Sequence, residues 1–180
     1  MTERHSDEAL LAALAAIQAR GAIGEQSLQG AVAHAEQFVV ALADVTGRVI
    51  DLGSGGGLPG LVIAARRPDL ELVLVERRMT RVDLLRRAVA ALDVTSSVTV
   101  FGGDVRDLPM RGTAAAVTAR SFAAPDITAH WAGVLLQPKG ILVVSEPPAD
   151  SDTRWPASVL TAAGLADLGR EQGIRRFARR

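Results

Sequence analysis

The chain has no cysteine and no tyrosine, a single lysine among its 180 residues, and only 3% aromatics. Without cysteine there is no disulfide, no thiolate metal site and no cysteine nucleophile, which removes the covalent thiolate chemistry used on cytosine C5. So few rings leave little to stack on nucleobases. Neither sign of charge predominates: 20 basic and 20 acidic residues cancel. No global field therefore draws a polyanion. No apolar run is long enough to cross a bilayer. The apolar run 10–19 follows acidic Glu3, Asp7 and Glu8, not the basic start of a signal peptide. A cytoplasmic protein with no membrane partner is expected.

Apolar residues make up 48% of the chain. That is enough to bury a sizeable core, so a compact chain is expected and a disordered one is not. The length suits one domain spanning 1–180, with 1–46 as an amino-terminal helical cap, and leaves no room for a separate substrate domain. Arginine outnumbers lysine 19 to 1. That ratio fits a GC-rich coding sequence and also suits contact with nucleic acid.

Helical spacing runs over 7–20, with Ser6-Asp7 as its cap, and over 25–44. Then the pattern alternates. Strand-like runs fall at 48–52, 71–76, 97–101, 114–119 and 140–145; helical runs lie between the first three and between the last two, and 104–108 is a short turn. Such alternation predicts an α/β fold with a mostly parallel sheet and helices on both faces. After a helix near 156–163, strands at 165–171 and 174–178 meet at Gln172-Gly173. So short a connection permits only an antiparallel hairpin. Seven strands ending in such a hairpin outline the Rossmann-like sheet of class I methyltransferases.

The most informative segment is Asp51-Leu-Gly-Ser-Gly-Gly-Gly-Leu-Pro-Gly60, between the first strand and a helix. Glycines at a strand–helix turn let backbone N–H groups closely approach a ligand. Gly55-x-Gly57-x-x-Gly60 also matches the dinucleotide fingerprint, and Glu76 stands at about the spacing of its ribose-binding acid. A dinucleotide, however, needs a second binding half that this chain lacks. No Gly-Lys-Ser/Thr follows, so a P-loop is excluded. An acid at the strand end, Asp51, suits a cationic ligand better than a phosphate. S-adenosyl-L-methionine is cationic at its sulfonium and amino groups, and it is the expected cofactor, with Asp51, Ser54, Gly55 and Gly57 in its loop. Glu76 is placed to accept from both ribose hydroxyls, with Arg77 beside it; the alternative is a solvated acid paired to Arg77 and Arg78. Asp104 either reads the adenine edge while Val105 packs on its face, or merely caps a helical turn.

Together these residues resemble the RsmG (GidB) family, methyltransferases that modify N7 of a guanine in 16S ribosomal RNA. The likeness runs over about 23–138. It is strongest in the glycine stretch with its Leu-Pro-Gly ending, and continues through Leu74-Val-Glu-Arg-Arg-Met-Thr-Arg-Val-Asp-Leu-Leu-Arg86 and Thr118-Ala-Arg-Ser-Phe-Ala123. The resemblance implies that Gly53, Leu58, Val105, Arg106 and Arg120 line the cofactor or active site, and that ribosomal RNA is the partner. The chain departs from the family at Ser27 and Gly30, where a histidine and an aspartate usually stand. It also has Val144-Ser-Glu-Pro-Pro148 in place of Leu-Lys-Gly.

Guanine N7 carries a lone pair and no proton, so its methylation needs no general base. The enzyme has chiefly to align donor and acceptor. No metal is expected. His5, His34 and His130 read as structural. Arg120 is the catalytic candidate because it lies at the end of the fourth strand, where open parallel sheets bind ligands. It could stack on a base, hold a phosphate or the cofactor carboxylate, or form a salt bridge to Asp51 or Asp126. Glu146-Pro147-Pro148 looks like an exocyclic-amine signature but follows the fifth strand, and is set aside. Arginine clusters at 77–87 and 170–180 are either RNA-binding stripes or solvated faces. Three functions stay open: an RNA guanine-N7 methyltransferase, a methyltransferase of the same cofactor fold acting on a small-molecule acceptor, and a non-catalytic cofactor-binding protein.

Overall fold

A computed structural model describes residues 2–147 and 154–180, with side chains from Asp7 onward. Helices α1 (Thr2–Gln18) and α2 (Leu28–Ala41) precede strand β1 (Arg48–Leu52). Next come α3 (Gly60–Arg66), β2 (Glu71–Glu76), α4 (Met79–Ala91), β3 (Val98–Gly102) and a 3₁₀ turn at Val105–Asp107. The chain continues through β4 (Ala114–Ala119), α5 (Pro125–Leu135), β5 (Leu136–Ser145), α6 (Ala157–Ala162), β6 (Leu165–Glu171) and β7 (Ile174–Arg179).

The strands form one seven-stranded sheet in the order β3-β2-β1-β4-β5-β7-β6. β1 to β5 pair in parallel, and β7 is antiparallel to both β5 and β6. This is the expected class I methyltransferase fold. Alternating strand residues feed two apolar layers, as the period of two requires. Val49, Leu72, Leu74, Ala116 and Val143 face the layer that holds α1 to α4. Ile50, Leu52, Val73, Val75, Val117 and Val144 face the layer under α5 and α6. Sheet order reverses between β1 and β4, which opens a crevice above the carboxyl ends of the strands.

The two largest departures from the expected boundaries are at the starts of α1 and β5. α1 begins at Thr2, so Ser6 and Asp7 lie inside the helix and do not cap it. Neither residue costs a helix more than a few tenths of a kcal/mol beyond better formers, so helix propagates past them. β5 begins at Leu136, directly after α5, and takes in Pro138 and Lys139 at φ +66°. That apparent turn is absorbed as a bulge against β4 between Ala114 and Ala116. Among the described residues no helix is long and apolar enough to cross a membrane.

Candidate active site

β1 ends at Leu52, and the glycine segment carries the chain to α3 with Gly53, Gly55 and Gly57 at φ +65°, +55° and +90°. Side chains rarely adopt that left-handed region, which is why glycine occupies all three. The loop is stitched to the sheet: Ser54 N–H donates to the Val75 carbonyl at 2.9 Å, and Ser54 Oγ donates to the Asp51 carbonyl at 3.0 Å. Glu76, 5% exposed, closes the arrangement. Its Oε2 accepts from Gly55 N–H at 2.9 Å and its Oε1 from Arg78 N–H at 2.8 Å. The acid is therefore fixed by backbone donors and not loosely solvated beside the arginines.

Above β1, β2 and β3 lies a cavity of about 590 Å³, into which Gly53, Glu76, Arg77, Asp104, Val105 and Arg106 all face. Val105 is a buried apolar surface there. The Asp104 carboxylate both lines the cavity and caps the 3₁₀ turn, accepting from Arg106 N–H at 3.0 Å. Hydrogen bonds from the Arg106 side chain hold that carboxyl below the usual carboxylate range. Gly53 again lines the neighbouring cavity of about 330 Å³, with Ser54, Gly55, Leu58 and Arg120. Gly57 turns inward instead, where an added Cβ would lie 2.3 Å from Leu61 Cδ1.

Asp51 stands elsewhere than the cation-facing position expected of it. Its carboxyl is buried beneath the loop, where Oδ1 accepts from Thr118 Oγ1 at 2.7 Å and Oδ2 has no partner. It lines none of these cavities. The reason is register: the period of two points residue 51 to the same face as Leu74 and Thr118, toward the start of α3. Burial pushes this carboxyl up to about 6, against the Thr118 hydrogen bond.

Arg120 follows the last residue of β4 and joins the loop cavity to a third one, of about 750 Å³. Its Nη1 is buried without a hydrogen-bond partner, and burial lowers its pKa. It forms no salt bridge with Asp51, whose Oδ2 is equally unpartnered. The third cavity lies between α2, through Ser27, Gly30 and His34, and the end of β5, through Ser145 and Glu146. His34 is shifted down by burial and then by the Arg120 charge.

Several residues outside the expected site set line it as well; of these, Trp131 is expected as a core or pocket wall and Arg81 as part of the basic cluster. Arg81 lines both cavities beside the glycine loop, Ser121 lines these and the third, and Phe122 and Trp131 wall the first. Glu146, set aside in the sequence, lines the third cavity. The rule that picked out Arg120 would have found Ser121 and Glu146 too, because each follows a parallel strand's carboxyl end. His130 is exposed on α5 and stacks edge-on against Trp131. Pro148 lies outside the described residues. Among the described residues no three His, Asp or Glu side chains converge as metal ligands.

A parallel sheet with reversed order, a glycine loop tied to a β2 acid and an antiparallel last strand define the fold of class I methyltransferases. A geranyl diphosphate C-methyltransferase from Streptomyces coelicolor A3(2), solved with S-adenosyl-L-homocysteine, superimposes with TM-score 0.63 at 13% identity, over 82% of this chain and 80% of that one. Residues 14–148 match the family of rRNA small subunit methyltransferase G, GidB, and the chain belongs to that family. Ribosomal RNA small subunit methyltransferase G of Mycolicibacterium gilvum is 35% identical over 140 residues, covering 76% of this chain and 61% of the relative. The Salinispora tropica protein of that name is 45% identical over 101 residues, covering 53% and 42%. The chain thus spans about three fifths or less of these relatives' length.

Proposed function

We propose that this chain, acting as one domain with its first two helices as a cap, transfers a methyl group from S-adenosyl-L-methionine to N7 of a guanine in 16S ribosomal RNA in the cytoplasm. The observation that carries the cofactor assignment is Glu76, a buried carboxylate at the end of β2 that also pins the glycine loop. Each Glu76 oxygen already accepts one backbone N–H and keeps a further lone pair for a diol. Val105 offers an apolar face for adenine, and Gly53 and Gly55 leave the backbone open at the cavity wall. The residues present therefore fit the cofactor.

When bound, S-adenosyl-L-methionine supplies an electrophilic methyl group on a sulfonium. The protein's part is alignment: Glu76, Asp104 and Val105 fix one partner, and Arg120 marks where the acceptor cavity meets the cavity beside the glycine loop. Charge on the surface supports RNA. Arg20, Arg78 and Arg81 surround a small cavity beside the glycine loop, and none of them forms an ion pair among the described residues. In the carboxy-terminal cluster, by contrast, Arg175 is paired with Asp167 and Arg179 donates to the Gly133 carbonyl.

The test is mass spectrometry of 16S ribosomal RNA from a strain lacking the gene, and from the same strain complemented. Loss of one N7-methylguanosine that returns on complementation is expected. An unchanged level excludes this acceptor and leaves the small-molecule alternative.

A further inference from the structure

The third cavity contains a carboxylate with no role so far. Glu146 follows β5, and its side chain is 3% exposed. Its Oε1 accepts from Trp155 Nε1 at 2.8 Å and from its ion-pair partner Arg154 Nη1 at 3.5 Å. Trp155 is itself wedged against Phe177 with ring centroids 4.8 Å apart, so the carboxylate is held by the core. Glu146 Oε2 makes no hydrogen bond among the described residues. That oxygen is not among the buried unpartnered atoms, and Glu146 lines the cavity, so Oε2 is open to donors from outside the chain.

Sheet order says where those donors must lie. From β1 the order runs to β4 and then β5. The glycine loop, Arg120 and Glu146 therefore follow one another across the crevice, on strands about 5 Å apart. Arg120, with its buried Nη1 unpartnered, stands between the acid and the cofactor cavity.

We infer that Glu146 selects the acceptor base by receiving the N1–H and N2–H donors of a guanine turned into this cavity. Oε2, with Oε1 taken by Trp155 and Arg154, keeps two lone pairs for two adjacent N–H donors, N1–H and N2–H, which guanine has and adenine lacks. On a guanine, O6 and then N7 lie on the side away from N2. Anchoring N1 and N2 at Glu146 directs O6 toward the free Arg120 Nη1 and N7 toward the cofactor cavity. A base taken out of its stack can be read in this way on its Watson–Crick edge. Gly30 and Ala31, at the mouth on α2, keep the cavity wide. Glu146 is thus a specificity-determining residue. This assignment rests on the guanine reading above and adds the group that recognises the base.

The experiment titrates guanosine, inosine and adenosine 5′-monophosphates into the full chain saturated with S-adenosyl-L-homocysteine. Inosine lacks only the N2 amine. Guanosine monophosphate should bind roughly tenfold or more tightly than the other two. Glu146→Gln, which keeps an acceptor for Trp155, should remove that preference while leaving S-adenosyl-L-homocysteine affinity intact. Equal affinities in the wild type, a preference that survives in Glu146→Gln, or no nucleotide bound at all would overturn the assignment. Because N7-methylguanosine in the deletion strain is read separately, methylation with no Glu146 dependence would sink this inference and leave the proposed function standing.

Discussion

At the scale of single residues, Glu76 and Asp51 show how two acids near one loop come to different roles. Glu76 ends β2 with its carboxylate at the cavity wall, while Asp51 lies beneath the loop. Glu76→Ala leaves the Gly55 and Arg78 N–H groups without their acceptor and removes the partner proposed for the cofactor's diol. Titration calorimetry should then show S-adenosyl-L-homocysteine binding weakened by about 1.5–3 kcal/mol, the range for hydrogen bonds to a charged group. Unaltered affinity would remove Glu76 from the site. Asp51 makes a different prediction, about pH. Its folded pKa is raised from 3.8 to about 6, so the native state holds this proton more tightly than the unfolded chain does. The stability it confers is complete below pH 4 and is lost as pH rises through about 6, to the extent of roughly 3 kcal/mol. Thermal denaturation of Asp51→Asn across pH 4–7 should therefore lack this decline relative to wild type; parallel curves would contradict the buried, raised carboxyl.

At the scale of elements, the amino-terminal helices matter because they lie on the glycine loop. A Cβ at Gly56 would stand 2.4 Å from Ile23 Cγ1 and 2.7 Å from the Ala22 carbonyl, so the segment between α1 and α2 packs straight onto the loop. Gly56→Ala should force that segment off and destabilise the protein by about 1–3 kcal/mol, as overpacking does. Proteolysis should then become faster within 19–27, and a cleavage pattern like wild type would show that the cap tolerates the methyl group. α2 was legible in outline. Ser27 caps it, accepting from Gly30 N–H at 3.3 Å, and the expected start at 25 lay three residues too early because Glu25, Gln26 and Ser27 precede the first turn. What periodicity did not disclose is the role of its Ser27, Gly30, Ala31 and His34 face. These residues lie at i, i+3, i+4 and i+7, a spacing that normally marks a core stripe. Here that stripe lines a cavity.

At the scale of the whole molecule, zero net charge conceals an uneven surface. Arg20 on the α1 side, Arg78 just before α4 and Arg81 on α4 converge beside the site although Arg20 is far from the others in sequence. If ribosomal RNA crosses this edge, Arg20→Gln with Arg78→Gln should weaken binding across all sequences. It should also lower the slope of log affinity against log salt by about two, one for each phosphate no longer neutralised. Filter binding over a salt series measures it, and an unchanged slope would place the RNA elsewhere.

Strand–helix alternation, the Gln172-Gly173 turn and the glycine segment determined the sheet, its terminal hairpin and the loop above β1. These depend on neighbours along the chain, and local backbone chemistry is written in order. Tertiary structure alone decided that Asp51 points beneath the loop, that Arg120 keeps an unpartnered Nη1, and that Trp155 holds Glu146 in a cavity. Those outcomes turn on which strand lies beside which and on which face a side chain emerges, and no local pattern encodes either.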